Sequence, residues 1–294
     1  MEEIIKLGFI GLGTMGLPMA KNLLKSGKPV VGFNRSAPAR EAFAAAGGEA
    51  AESVGDIIDD CQVIFLCLPT NEALKQIVEQ IIDNAKPGTI VADMGSTSPG
   101  IIKELFARAS QRGIDLLDCP VSGGQSGAEA GTLTIMCGGD PTAFDRIERL
   151  LETMGTNVTL MGASGCGSTA KLANNMMVGA HLAAMSESYA FAVKAGIDPH
   201  KLFEAIKTGF AQSAVMDIKV PKMLSRDFSA SARIQIHMKD IKNAMQLASE
   251  TGVELPLTAL VLEQMSYLAD KGLAGEDQCA MVKYYEDAMG VIVE

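Results

Sequence analysis

One lysine in an otherwise uncharged stretch is the residue whose chemistry most needs explaining. Gly165-Cys-Gly-Ser-Thr-Ala-Lys171-Leu-Ala-Asn174-Asn175 runs from a glycine-broken start into an apolar segment with no further charge before Glu187. Lys171 and Asn175 are four apart and share one helix face, and Asn174, three from Lys171, can share it. A partly desolvated ammonium has a lowered pKa and can exchange a proton near neutral pH. An amide at Asn175 can orient a substrate oxygen without competing for that proton. Taken alone, Lys171 has a second reading, a side chain that snorkels to the surface at a helix end. A helix apolar nearly all round is expected to be buried.

Two glycine-rich stretches supply anion chemistry. Gly11-Leu12-Gly13-Thr14-Met15-Gly16 lies between an apolar run, Ile4 to Ile10, and a helical stretch, Leu17 to Ser26, that Gly27 ends. At a first β-turn-α unit the glycines serve a tight turn, close approach of backbone to a pyrophosphate, and packing of helix on strand. The next strand, Pro29 to Phe33, ends in Asn34-Arg35-Ser36, where such folds face the adenosine ribose. A neutral amide and a cation there favour the 2′-phosphate of NADP(H), with NAD(H) as the alternative. Arg35 as a solvated loop residue and Ser36 as a helix cap are the competing readings. Further on, Ser122-Gly123-Gly124 belongs to a glycine- and serine-rich loop whose backbone N–H groups can form a nest for a carboxylate, or simply a flexible hairpin connection.

These residues need elements to hold them. Gln62 to Leu68, Thr89 to Asp93, Ile114 to Leu117 and Leu133 to Cys137 read as further buried strands alternating with helices. The pattern predicts a mostly parallel, doubly wound α/β sheet with ligands at the carboxyl ends of its strands. Leu68, Pro69, Ser96 and Thr97 sit at such ends and are candidate cofactor-lining residues, or turn residues only. Thr153 to Ala170, uncharged and rich in glycine, reads as the passage between domains. Beyond it the apolar spacing predicts helices over Leu172–Ala195, His200–Thr208, Val215–Leu224, Met238–Thr251, Pro256–Lys271 and Glu276–Met289. The expected organisation is a dinucleotide-binding domain over 1–163 and an all-helical domain over 164–294.

Charge narrows the partners. The chain of 294 residues carries a net charge of -10 with no basic run, a surface that repels nucleic-acid phosphates. Six cysteines without a CxxC pair read as reduced thiols of a cytoplasmic protein. Three histidines without ligand spacing give no reason to expect a metal. The acidic start lacks a signal-peptide pattern, and the longest uncharged segment is too short to span a bilayer, so a soluble protein is expected.

Taken together, Gly11-Leu-Gly-Thr-Met-Gly-Leu-Pro-Met-Ala-Lys-Asn22, Asp118-Cys-Pro-Val-Ser-Gly-Gly124 with Gly131-Thr-Leu-Thr134, Gly165 to Asn175, and Lys239-Asp240 resemble the β-hydroxyacid dehydrogenase family over essentially the whole chain. Leu255-Pro-Leu-Thr-Ala259 and Tyr284-Tyr285-Glu286 look most like its tartronate semialdehyde reductase branch. The resemblance implies a Rossmann domain followed by a helical domain of the 6-phosphogluconate dehydrogenase type. It implies Lys171 as catalytic acid/base assisted by Asn175, and Ser122, Gly123, Gly124 and Asn174 about the substrate carboxylate. Lys239 would approach the nicotinamide end of the cofactor, and the chain would form a homodimer or homotetramer. The implied substrate is a small carboxylic acid bearing a primary alcohol or aldehyde: tartronate semialdehyde first, with the 3-hydroxyisobutyrate and 4-hydroxybutyrate pairs as alternatives. Asn34-Arg35 departs from the aspartate of NAD-preferring relatives. A non-catalytic NADP-binding sensor is the alternative from another class, and Lys171 speaks against imine reduction.

Overall fold

The computed structural model describes residues 6–294; Ile4 and Ile5 of the first expected strand lie outside the described residues. The chain divides into two compact units, Met1–Lys171 and Leu172–Glu294.

The first unit is built on β1 (Leu7–Ile10), β2 (Val30–Phe33), β3 (Glu49–Ala50), β4 (Val63–Leu66), β5 (Ile90–Asp93), β6 (Asp115–Asp118), β7 (Val121–Ser122), β8 (Leu133–Gly138) and β9 (Gly155–Gly162). Between them run α1 (Gly16–Leu23), α2 (Ala37–Ala44), α3 (Val54–Asp60), α4 (Asn71–Asn84), α5 (Pro99–Ser110), α6 (Gly124–Ala130) and α7 (Pro141–Leu151). Strand order is β3-β2-β1-β4-β5-β6-β8-β7, with β9 paired to β8. The first six strands are parallel, and β8 runs antiparallel to β6 and β7. That order reverses direction between β1 and β4, the switch point at which doubly wound sheets open a crevice.

Strand alternation divides the core between two faces. Leu7, Phe9, Val63, Phe65, Ile90 and Ala92 pack with α1, α6 and α7. Ile10, Ile64, Leu66 and Val91 pack with α3, α4 and α5 on the other side. Each fully buried side chain of this kind contributes about 1.5–3 kcal/mol, so a register slip would expose a whole row.

The second unit holds most of α8 (Cys166–Lys194), then α9 (Pro199–Ile206), α10 (Ala214–Leu224), α11 (Ile234–Thr251), α12 (Pro256–Asp270) and α13 (Val282–Met289), the last preceded by a 3-10 turn at Gln278–Met281. Leu182, Tyr189, Val220, Ile241, Val261, Leu268 and Val282 lie in its core.

Four expectations need correction. Thr153 to Ala170 is not a bare passage: β9 extends the sheet there, and α8 begins at Cys166 rather than Leu172. The uncharged, glycine-bearing sequence hid a strand because Thr156, Asn157 and Thr159 are exposed and polar and break the apolar run. α8 is also not buried all round, since Met177 is 62% and Phe191 65% exposed. Its apolar circumference is wider than the face its own unit covers. Around Ser122 the chain is strand β7 and helix α6 rather than a loop. Finally, Glu276–Met289 is a 3-10 turn plus a shorter α13, because Asp277 caps the turn through Cys279 N.

Candidate functional site

The turn from β1 into α1 shows what each glycine does. A Cβ on Gly11 (φ +103°) would overlap the Cys67 carbonyl, and one on Gly16 would overlap the Gly11 carbonyl. Around Gly13 there is nothing within 4 Å. Two glycines are therefore demanded by the protein itself, while the third leaves open the space a pyrophosphate needs. No side chain caps α1; Leu17 N and Met19 N donate to the Gly13 and Met15 carbonyls and Pro18 has no N–H, so what the helix start offers an anion is its positive dipole end. A groove of about 620 Å³ lies alongside, walled by Leu12, Gly13, Thr14, Asn34 and Ser36 together with Lys21, Asn22, Gln125 and Glu129. These features fit a dinucleotide.

Asn34 has a more specific job than lining the wall: its Oδ1 accepts from Leu12 N at 3.2 Å and holds the glycine turn against β2. Arg40 donates to the Asn34 carbonyl at 2.8 Å and steadies the same corner. Arg35 and Ser36 are exposed. Ser36 occupies the N-cap position of α2 without a side-chain cap bond, so its hydroxyl is not committed to the helix. Met15 is half-buried in the turn. Leu68 is half-buried and Pro69 exposed beyond β4, and Ser96 is half-buried beyond β5. Thr97 is buried and donates to Asp93 Oδ2 at 2.6 Å, which makes it a turn residue.

Lys171 stands at the end of the first unit, near the start of α8. What fixes that start is Asp118, fully buried at the end of β6. Its Oδ1 accepts from Gly165 N at 2.8 Å and its Oδ2 from Ser168 N at 2.6 Å. Burial pushes its carboxyl above the ordinary carboxylate range, against these two donors, which favour the ionised form. Glycines let the backbones close up: a Cβ on Gly138 would lie 2.6 Å from Asp118 Oδ1, and one on Gly167 would overlap the Met136 carbonyl. Four residues after Asp118 come Ser122 and then Gly123 and Gly124, both at positive φ (+135° and +65°). The strand end that anchors the lysine helix thus leads straight into the expected carboxylate nest. On the far side, Asn22 of α1 donates to the Ala128 carbonyl at 2.6 Å and ties down α6.

In the second unit α8 presents Asn174 and Asn175. Asn174 Nδ2 donates to Asn175 Oδ1 at 2.9 Å, and Asn175 Nδ2 donates to Asp240 Oδ2 at 2.7 Å. A carboxylate only accepts, so Asp240 settles which end of the Asn175 amide faces it. Lys239 Nζ lies 3.5 Å from Asp240 Oδ1. His237, on the same helix, meets the Asn175 carbonyl at 2.8 Å.

The structure therefore gathers Leu12, Gly13, Thr14, Asn34 and Ser36 on one groove, and Asn174 and Asn175 on one polar chain. Arg35, Leu68, Pro69 and Ser96 are not among the groove walls. Sequence reasoning gave no role to Asp118, Asp240, His237, Asn22 or Arg40. Asp118, Asp240 and Asn22 stood inside the quoted motifs, which was the available signal; His237 and Arg40 had none.

Residues 6–162 match the family described as the NAD binding domain of 6-phosphogluconate dehydrogenase, and residues 165–285 match the NAD-binding family of NADP-dependent 3-hydroxyisobutyrate dehydrogenase. The chain is 35% identical to 2-(hydroxymethyl)glutarate dehydrogenase of Eubacterium barkeri, covering 100% of this chain and 99% of the relative. It is 36% identical to 2-hydroxy-3-oxopropionate reductase of Escherichia coli, covering 96% and 97%. Among solved structures, 3-hydroxyisobutyrate dehydrogenase of Mycobacterium tuberculosis with L-serine superposes with a TM-score of 0.87 at 30% identity, covering 96% and 99%.

Proposed function

The chain belongs to the β-hydroxyacid dehydrogenase family and is an NAD(P)-dependent oxidoreductase acting on hydroxy acids, and from that premise we propose that it reduces tartronate semialdehyde to D-glycerate with NADPH. The bound nicotinamide supplies the hydride. Lys171, as an ammonium, gives its proton to the oxygen of the aldehyde as that oxygen gains charge; in the reverse direction the neutral amine takes the proton from the alcohol. Ser122, Gly123 and Gly124 hold the carboxylate, and Asn174 and Asn175 orient the reacting end. Gly11 to Gly16, Asn34, Arg35, Ser36, Leu68, Pro69, Ser96 and Lys239 serve the cofactor. In functional terms residues 1–163 bind the dinucleotide, and 164–294 serve substrate and self-association. Six free thiols support a cytoplasmic setting.

The observation that carries this reading is the Asp118 clamp, which joins the helix of the only cation in its stretch to the strand end leading into the nest. Similarity to the Escherichia coli reductase supports the choice of acid. The equally broad similarity to 2-(hydroxymethyl)glutarate dehydrogenase supports a second reading with a larger dicarboxylic acid. A spectrophotometric panel decides: tartronate, methylmalonate and succinic semialdehydes and the aldehyde of 2-(hydroxymethyl)glutarate, each with NADPH and NADH. The expected result is the highest kcat/KM with tartronate semialdehyde and NADPH. A higher value with the dicarboxylic aldehyde would replace the substrate, and an NADH preference would replace the cofactor assignment.

A further inference from the structure

Asn175 is gripped at its main chain as well as its side chain. His237, only 2% exposed on α11, lies with Nε2 2.8 Å from the Asn175 carbonyl oxygen and Nδ1 3.0 Å from Gln278 Nε2. A carbonyl oxygen only accepts, so Nε2 carries the proton. An amide nitrogen only donates, so Nδ1 is bare. The two partners together select one neutral tautomer of the ring. The Asn175 carbonyl also stands opposite the N–H of residue 179 in the helical ladder. Residue 179 is a glycine, and a Cβ there would lie 3.0 Å from Val261 Cγ1 and 3.6 Å from His237 Nε2. A side chain there would crowd Val261, while the ring would stand at ordinary van der Waals distance from it.

Asp240, three residues beyond His237 and on the same face of α11, takes the Asn175 amide. One bond from a rotatable side chain still leaves the turn beneath it free to shift. Two bonds from one rigid face, one to the main chain and one to the side chain, place the amide at a single point. We propose that His237, oriented by Gln278, is a positioning residue for Asn175 that fixes the turn of α8 carrying it. The proposal rests on the reading of Asn175 as the residue that orients the substrate.

The test uses the full-length protein in two arms. With ¹⁵N-labelled histidine there are three rings to resolve, His181, His200 and His237, and loss of a signal in His237→Gln assigns the last. At neutral pH that ring is expected to show a protonated Nε2 and a bare Nδ1, and Gln278→Ala is expected to release the fixed tautomer. A protonated Nδ1 with a bare Nε2 overturns the proposal. In the kinetic arm His237→Gln should lower kcat/KM by about tenfold, the worth of one hydrogen bond, with dinucleotide affinity unchanged by fluorescence titration. Because His237 acts through Asn175, that loss should vanish in an Asn175→Ala background, whereas losses that multiply would mark a merely structural role and overturn the proposal. Should the buried His237→Gln chain fail to fold, Gln278→Ala carries the same cycle. Wild-type turnover in Asn175→Ala alone would remove the substrate-orienting role of Asn175, and the positioning role with it, while the tautomer arm would still report the ring geometry.

Discussion

An ammonium group donates a proton to a developing alkoxide only when it is held beside the charge and shielded from full hydration. Lys171→Ala is therefore expected to lower kcat by about 10²- to 10⁴-fold while leaving nucleotide affinity within the wild-type range, measured by steady-state kinetics and fluorescence titration. Lys171→Arg keeps the charge but not a proton that can leave near neutral pH, so it should stay as inactive as the alanine variant; recovery of turnover would remove the acid role. Arg35 makes a separate prediction. If its guanidinium meets a 2′-phosphate, Arg35→Ala should lower the NADPH-to-NADH ratio of kcat/KM by roughly 10- to 100-fold, the value of a hydrogen bond to a charged group. An unchanged ratio would return Arg35 to a solvated loop residue. Lys171, Asn175 and the three glycines could be picked out from sequence because side-chain type and short spacing were enough. Asp118 stood inside a quoted motif, but its role and that of His237 could not be read: their partners lie 47 and 62 residues away, and no local pattern announces a contact across that distance. Asn34 was picked out for its position facing the ribose; that its oxygen also braces Leu12 N, 22 residues away, was not legible.

Elements hold these residues through a few buried carboxylates. Asp118 substitutes for the absent preceding turn at the start of α8, so Asp118→Ala should cost about 2–4 kcal/mol by leaving two buried N–H groups without an acceptor, read as a lower midpoint in urea. Asp277 does the equivalent work in the second unit. Burial opposes its ionisation, but Lys219 at 2.8 Å, the Cys279 N–H and Ser231 outweigh burial and hold its carboxyl far below the usual range. A depressed folded pKa contributes stability that is present above the unfolded value, about 3.9, and is lost as pH falls through that range toward the folded one. Asp277→Asn should accordingly lower the thermal midpoint at neutral pH, and its deficit against wild type should narrow below about pH 4; a deficit constant down to pH 2 would contradict the linkage. The parallel strands and amphipathic helices were legible because their periodicities are set by burial on one or two faces. β9 and the first residues of α8 were not, since a strand broken by exposed threonine and asparagine and a helix start made of glycine, serine and threonine resemble a linker in composition.

At the scale of the whole molecule, the alternation of strands and helices followed by helices alone made the order of the two units readable, but the surface of α8 was not. Ala173, Met177, Ala184 and Phe191 recur at intervals of four, seven and seven residues, about one and two turns, along one side of the helix and are all exposed, with Met177 at 62% and Phe191 at 65%. Exposed His181, Glu187 and Ser188 flank them, and an exposed apolar stripe with a polar rim marks an interaction surface. Charge works against a loose encounter, because two chains of net charge -10 repel, so self-association would have to rest on these apolar side chains. We expect a homodimer or homotetramer by light scattering, with a thermal midpoint that rises with protein concentration because association stabilises the folded chain. The double variant Met177→Glu with Phe191→Glu places charge on the stripe without touching the buried core, and should run as a monomer that keeps its helical circular dichroism. A wild-type protein that scatters as a single chain would show instead that the stripe awaits a different partner, and the same double variant would then leave the mass unchanged.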